Sequence, residues 1–374
     1  MDLELTEEQQ MLRDMVRTLC EEHSPPDVVR AMEDDPTGYP AELWKKLAEV
    51  EVLGLLVPEA YGGSDMTMIE AAIVYEELGR ALAPVPHFAS CVLSARTLAA
   101  AGSDEQKRAW LPAIASGDAI VVPAWLEPRN GFGPKGVQAK AEVSGDEAVI
   151  TGTKVHVPFA SSAARLLVLA RTGEGPEEVD LFLVDPKAEG VRLEQQKTLA
   201  ADTQYQVVLD GVRVPLTERV GGAGSGWRTW DDVMHDGAIL AAAQAAGGAQ
   251  RSLELTCEYA AEREQFGKPL AAFQAISHYL ADAATAVTGG TTLVYEAAWA
   301  RANGRDVSKL APMAKLFACQ TYRDVTAMSL QVFGGVGFTV EYDAQLYFRR
   351  AKQLQLSWWD TAHLEQRVAA SVLD

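Results

Sequence analysis

Arg263-Glu264-Gln265-Phe266-Gly267-Lys268-Pro269, closely followed by Phe273-Gln274, is the stretch that decides how this chain is read. A second stretch, Gln331-Val332-Phe333-Gly334-Gly335, belongs with it. Each is ordinary alone. An arginine near a helix end is usually a solvated charge or an ion-pair partner, and Gly267-Lys268-Pro269 reads as a helix stop. A diglycine after Val332-Phe333 reads as a helix terminus, and it also lets backbone approach a ligand closely.

Between and around them the pattern is helical. From Leu270 to Ala302, apolar residues at Phe273, Ile276, Leu280, Ala283, Val287 and Val294 fit one helical stripe. A helix over that whole range would be roughly 50 Å long at 1.5 Å per residue, and helices of that length usually pack in a bundle. Residues 223–374 therefore read as a helical region. The small residues of Ala241 to Ala249 suit close helix packing without any ligand.

Residues 1–118 are also helical in pattern. Thr6 with Glu8 and Gln9 opens an amphipathic segment carrying Met11, Leu12, Met15, Val16 and Leu19, and Leu43, Trp44, Leu47, Val50 and Leu53 repeat the spacing. Tyr61-Gly62-Gly63 breaks the chain. Ile69, Ile73, Leu78 and Leu82 continue the pattern until Pro84 and Pro86 interrupt it.

Residues 119–222 change character. Val137 to Val143 alternates with period two, Ser144-Gly145-Asp146 supplies a turn, and Val149-Ile150 resumes the alternation. Leu166 to Ala170, Val179 to Val184 and Gln206 to Val214 are further strand candidates. The order is helical domain, antiparallel β barrel or sandwich, helical bundle, which is an α+β class.

Composition narrows the function. The 374 residues are 48% hydrophobic and 23% charged, enough for two or three domains with sizeable cores. A net charge of −19 argues against nucleic acid and anionic membrane surfaces, while a few local arginines can still hold an anionic cofactor. The four cysteines form no CxxC pair, which suits a reduced, cytoplasmic protein, and the histidines show no metal-ligand spacing. The start, Met1-Asp2-Leu3-Glu4, lacks the basic flank of a signal peptide, and Ala238 to Ala249 is too short to span a bilayer.

Two glycine-rich stretches look like nucleotide sites and are not expected to be. Gly131-Phe132-Gly133-Pro134-Lys135-Gly136 matches GxGxxG, but an alternating strand follows it where a dinucleotide site needs a helix. Gly221 to Gly226 has no following Lys-Ser/Thr and reads as a turn into a helix.

The two opening segments, their spacing and the three-region order resemble the acyl-CoA dehydrogenase family. The resemblance covers essentially the whole chain. It implies an N-terminal helical domain (1–118), a middle antiparallel β barrel (119–222) and a C-terminal four-helix bundle (223–374). It implies FAD as cofactor, an acyl-CoA or acyl-carrier thioester as substrate and an electron-transfer flavoprotein as acceptor. It also implies dimers or tetramers, because the family shares FAD across subunits. The family's Arg-x-x-Phe-Gly arginine contacts the FAD pyrophosphate of a neighbouring subunit, a role suited to a planar, permanently charged guanidinium. Arg263, Gln265, Phe266, Phe273 and Gln274 match the first FAD segment, and Gln331, Gly334 and Gly335 match the second.

The chain departs from the family at the chemistry. The family glutamate that removes the α-proton commonly precedes Gly-Thr, shortly after Arg-x-Ala-Lys. Here Arg349-Arg350-Ala351-Lys352 leads to Trp358 at that position, with Asp360 two residues later beside Thr361. Some members place the base on an earlier helix, where Gly237 falls. Asp236 is adjacent, though about 100° round a helix, and otherwise reads as an N-terminal helix charge. Ala238 replaces a family arginine that holds acyl-CoA. In the family's Thr-Glu-Pro-x-x-Gly-Ser-Asp, Leu126 replaces the flavin-binding threonine. His156-Val157-Pro158 replaces Trp-x-Thr, leaving His156 to stack on the ring. Asp360 is the first candidate base and Asp236 the second. Two other readings are a non-catalytic FAD-binding partner subunit of a heteromer and a related flavin oxidase.

Overall fold

The computed structural model describes residues 4–33, 35–175 and 177–373. Met1, Asp2 and Leu3, part of the start discussed above, lie outside the described residues. The chain forms two compact units. One is Met1–Val29, Met68–Ala83 and Ala238–Asp374, and the other is Arg30–Thr67 and Pro84–Gly237.

The N-terminal region holds α1 (Glu7–His23), α2 (Pro26–Met32), α3 (Ala41–Glu49), α4 (Met68–Arg80), α5 (Ala95–Ala101) and α6 (Asp104–Ala115). Thr6 and Gln9 form a full capping box at the start of α1, so the expected helix start has its hydrogen bonds. A seven-residue π-helix, Phe88–Ser94, leads into α5.

The middle region holds β1 (Val121–Ala124), β2 (Lys140–Ser144), β3 (Glu147–Pro158), β4 (Arg165–Arg171), β5 (Val179–Val184), β6 (Val191–Gln196), β7 (Gln204–Pro215) and β8 (Arg219–Val220). They form an eight-stranded sheet of order β6-β7-β3-β2-β4-β5-β8, with β1 paired to β4. Its pairs are antiparallel except that β1 and β2 each join β4 in parallel. The expected strand from Val137 begins only at Lys140. The reason is a side chain distant in sequence: the N–H groups of Gln138 and Ala139 donate to Glu127 Oε1 (3.0 and 2.9 Å), not to a neighbouring strand. Gly131–Gly136 carries only a 3-10 turn before β2, and Gly226 opens a helix, as expected for both glycine-rich stretches.

The C-terminal region holds α7 (Gly226–Glu262), the short strands β9 (Glu264–Gln265) and β10 (Lys268–Pro269), and α8 (Gln274–Ala302), α9 (Leu310–Phe333), α10 (Ala344–Leu356) and α11 (Thr361–Leu373). In the helical unit α9 packs on α8, α10 and α11, while α4 packs on α1 and α8. The small residues of α7 do what close packing requires. A Cβ on Gly247 would lie 1.9 Å from the Glu76 carbonyl oxygen of α4. The helix expected from Leu270 starts at Gln274 instead, because Leu270–Ala272 is a 3-10 turn and Phe273 is extended. The helix stop expected at Gly267-Lys268-Pro269 falls earlier, at Glu262. The glycine serves a hairpin.

Candidate functional site

In the helical unit the two opening segments are brought side by side. Tyr259 sits one turn before Arg263 on α7, and its carbonyl accepts from the Arg263 N–H at 2.8 Å. The Tyr259 ring stacks on Phe333 with centroids 4.2 Å apart, and Phe333 meets Tyr342 edge-on at 6.0 Å. Arg263 and the Gln331–Gly335 segment are thus fixed by one aromatic stack.

The surface around that stack is open. Arg263 is exposed, and among the described residues its guanidinium makes no hydrogen bond or ion pair. Gln265 pairs with Lys268 across a two-residue turn, in which Phe266 (φ 55°) and Gly267 (φ 76°) are both left-handed. That is the type I′ geometry hairpins prefer, and it places Phe266 at the tip, 93% exposed. Phe273 meets Phe266 edge-on at 6.3 Å and carries Lys268 over its ring at 4.2 Å. Gln274 is the exposed first residue of α8, and Gln331 is exposed near the end of α9. Gly334 caps α9 at φ 67°, ψ −141°, a region essentially reserved for glycine. A Cβ on Gly334 or Gly335 would meet nothing within 4 Å.

These features fit FAD. An unpaired guanidinium suits a pyrophosphate, an exposed ring suits a flat heterocycle, and bare backbone permits close approach.

Asp360 lies in the same unit. It is half-buried and caps α11, its Oδ1 accepting from the His363 N–H at 2.9 Å. Lys315 acts on it electrostatically, and among the described residues no second hydrogen bond holds the carboxylate. It follows Trp358 (φ 55°) and Trp359 (φ 81°), two successive bulky residues in the left-handed region. Trp359 is fully buried under the Arg367 guanidinium, 4.0 Å above its ring.

In the sheet unit Leu126 and His156 are neighbours, because the Val155 N–H donates to the Leu126 carbonyl at 2.9 Å. His156 sits at a β-bulge: the β3/β7 register slips between Lys154 and Val157, and His156 takes φ 56°. The bulge turns its exposed ring outward. Its Nδ1 donates to Gln204 Oε1 at 2.9 Å, and its backbone N–H donates to Gln196 Oε1 at 2.9 Å. Bulges of this kind often re-aim a side chain beside a site.

Asp236 is placed differently from its sequence reading. It lies well inside α7, so it is not an N-terminal helix charge. It is fully buried, and Arg96 Nε donates to its Oδ2 at 3.0 Å. Accepting a proton from a substrate would mean breaking that pair. Gly237 beside it is enclosed too, since a Cβ there would lie 2.8 Å from Leu93 Cδ2 and 3.4 Å from the Phe88 ring.

Two residues that the sequence reading missed support both regions. Lys154 is completely buried and donates to Glu127 Oε1 at 2.6 Å, which anchors the Leu126 segment to β3. Lys315 is completely buried on α9 and donates to three carbonyls around Trp359. The signal was phase: Lys154 shares the inward parity of Ala148 and Ile150, and Lys315 falls on the buried stripe of Ala311, Ala314, Ala318 and Cys319.

Two family domains match the sequence. They are acyl-CoA dehydrogenase, N-terminal domain, over residues 6–118, and acyl-CoA dehydrogenase, C-terminal domain, over residues 224–357. The probable acyl-CoA dehydrogenase YngJ of Bacillus subtilis (strain 168) is 33% identical over 382 residues, covering 100% of both chains. Among solved structures, butyryl-CoA dehydrogenase from Megasphaera elsdenii aligns at TM-score 0.92 and 27% identity over 100% of both chains. The structure of the ChsE4-ChsE5 complex from Mycobacterium tuberculosis aligns at TM-score 0.91 and 29% identity, covering 100% of this chain and 99% of that one. This chain is therefore a member of the acyl-CoA dehydrogenase family.

Proposed function

We propose that this protein catalyses FAD-dependent α,β-dehydrogenation of an acyl-CoA or acyl-carrier thioester, with Asp360 as the base. The observation that carries the reading is the Tyr259–Phe333 stack, which holds unpaired Arg263 beside the bare Gly334-Gly335 backbone. Arg263 neutralises the cofactor pyrophosphate, Phe266 and Gln274 contact the cofactor, and Gln331 with Gly334-Gly335 lets it lie against backbone. FAD supplies the two-electron acceptor when bound.

Asp360 removes the α-proton and becomes a carboxylic acid. The His363 N–H fixes one of its oxygens and leaves the other for the substrate. Aspartate is one methylene shorter than the family glutamate, so its backbone must approach the substrate more closely. Asp236 holds Arg96 instead. Leu126 and His156 border the flavin ring in this reading. Electrons leave to an electron-transfer flavoprotein, and the chain works as a dimer or tetramer.

We place the protein in the cytoplasm. Its four cysteines are unpaired, three of them buried. Among the described residues no helix is long and apolar enough to cross a membrane, and no group of His, Cys, Asp or Glu is arranged to hold a metal ion.

A second reading, the FAD-binding partner of a catalytic subunit, is favoured by one observation. The other family base position is Gly237, which has no side chain to take a proton, and a Cβ there would lie 2.8 Å from the tip of Leu93.

An anaerobic visible spectrum of the purified protein, before and after a panel of acyl-CoAs, tests both. Bleaching of a bound flavin supports the first reading. A chain that retains flavin only with a second, related subunit supports the other. Hydrogen peroxide formed in air without an acceptor would instead indicate a flavin oxidase.

A further inference from the structure

Lys315 occupies an unusual place for a charge. It lies within α9 and is fully buried, so its ammonium has lost all contact with water. Burial pulls its pKa down, while Cys319 and Asp360 push it back up. Its Nζ donates to the carbonyls of Leu354 at 3.1 Å, Ser357 at 2.9 Å and Trp359 at 2.9 Å. An ammonium has three N–H donors, and all three are used.

The three acceptors lie in one short run of chain. Leu354 is in the last turn of α10 and Ser357 is its C-cap, where carbonyls lack helical partners and carry partial negative charge. Trp359 is two residues further on. Between them the backbone takes the left-handed conformation twice, at Trp358 and Trp359. Bulky residues keep such a conformation only where the surroundings enforce it. Carbonyl capture before and after Trp358 is that enforcement. The next residue is Asp360, whose Oδ1 is committed to the first turn of α11.

We infer that Lys315 is a positioning residue: its ammonium fixes the turn from Ser357 to Trp359 and so sets where the Asp360 carboxylate points. The catalytic consequence rests on the reading of Asp360 as base, whereas the structural claim about the turn does not. Lys315 itself touches neither substrate nor cofactor in this proposal.

The test uses the full chain with its bound flavin and the variant Lys315→Met, which keeps most of the side-chain volume and removes the charge. Hydrogen exchange reads the turn without any activity. Amides of residues 354–362 are expected to exchange at least about tenfold faster in the variant, with residues 316–333 of α9 unchanged. Unchanged exchange at 354–362 overturns the inference.

Stopped-flow bleaching with an acyl-CoA reads the consequence. The rate is expected to fall about 100-fold, as a misplaced catalytic group predicts, while a non-reacting thioether analogue binds within about threefold of its original affinity. Loss of bleaching in proportion to loss of flavin or analogue binding would make Lys315 a support of the fold only, and would overturn it. If the parent protein bleaches with no thioester, the dehydrogenase reading fails and hydrogen exchange alone decides the turn. Should Lys315→Met not fold, Lys315→Gln, with two neutral donors, takes the same measurements. If neither folds, Lys315 acts on the whole unit rather than on the turn, and the inference is wrong.

Discussion

The sheet unit and the helical unit each bury a lysine and each carry a candidate carboxylate, yet they use them in opposite ways. In the sheet unit Lys154 faces the carboxylate of Glu127, and Asp236 faces Arg96. Each of these buried charges is matched inside the unit. In the helical unit Lys315 donates only to peptide carbonyls, with Asp360 acting on it through space, and Asp360 keeps one oxygen outside any hydrogen bond. A matched pair holds structure and resists change, whereas a cation held by carbonyl dipoles shapes a turn and leaves its neighbouring carboxylate available. Under the proposed function, the charges of the helical unit are the ones that serve chemistry.

The sharpest way to break this contrast is to neutralise each carboxylate. Asp360→Asn is expected to slow substrate-dependent flavin bleaching by about 10²–10⁴-fold, the range of general-base catalysis. Asp236→Asn removes a matched charge from beside Arg96 and is expected to act on stability first, leaving the bleaching rate of folded protein near its original value. Stopped-flow absorbance of both variants decides it. Equal rate losses would show that Asp236 is not reserved for Arg96.

The lysines offer the next largest effect. Lys154→Met strands the buried Glu127 carboxylate and is expected to lower unfolding free energy by about 3–5 kcal/mol. Adding Glu127→Gln should recover much of that, since an uncompensated charge is then no longer buried. Lys315→Met leaves three carbonyls without their donor but no directly paired carboxylate, and should lower stability less. Urea midpoints measure all three. A larger loss at Lys315 would overturn the distinction between a matched pair and a carbonyl-held cation.

Acid and base should loosen the two units in opposite directions. In the sheet unit His87 is buried and donates from Nε2 to the Val52 carbonyl at 3.0 Å, and burial pulls its pKa down from 6.5 to about 4. The folded histidine resists protonation, so the unfolded state binds the extra proton between these values. Its contribution is present above pH 6.5 and is lost as pH falls toward 4, at about 1.4 kcal/mol per unit.

In the helical unit burial pushes Glu76 up from 4.5 to about 7, against a hydrogen bond from the Tyr295 hydroxyl at 2.9 Å. Here the folded state binds the extra proton. The stability it provides is present below pH 4.5 and is lost as pH rises through 7. Between about pH 4.5 and 6.5 the two contributions run in opposite directions, so the thermal midpoint of Glu76→Gln should rise more steeply with pH there than the parent's, and that of His87→Gln should fall with pH. Identical pH profiles for the parent and both variants would refute the assignment.

Much of the fold was legible because hydrophobic period is a local property. The α1 cap, the strands from Arg165 and Val179, and the small-residue packing face of α7 all follow from neighbours in sequence. The errors arose where a distant group took over a backbone hydrogen bond. Glu127 took the N–H groups of Gln138 and Ala139 and delayed β2, and the Phe266-Gly267 turn converted an expected helix stop into a hairpin.

The site was half legible for the same reason. Arg263 and Gln331 stand in recognisable segments. No local pattern shows that Tyr259 and Phe333 join them or that Arg96 consumes Asp236, whereas the two buried lysines were legible in phase alone. β1 and β8 were missed because each is short and lacks the alternation of a half-buried strand, whereas β6 was missed although Val191 and Leu193 alternate with Arg192 and Glu194.

The smallest expected effect concerns the open surface of the helical unit. Phe266 is 93% exposed and contacts little beyond the edge of Phe273, so Phe266→Ser removes almost no buried area. An exposed position of this kind shifts unfolding free energy by no more than about 0.5 kcal/mol. Serine also suits the neighbourhood of a tight turn, although the left-handed φ of 55° is no easier for it than for phenylalanine. If Phe266 is held there to meet a cofactor, the variant should unfold at the same urea concentration and still lose flavin during gel filtration. The dissociation constant for added FAD, followed by flavin fluorescence, separates the cases. Unchanged affinity with unchanged stability would mean that the ring serves neither fold nor cofactor, and would remove Phe266 from the proposed FAD surface while leaving Arg263 and Gly334-Gly335 to be tested alone.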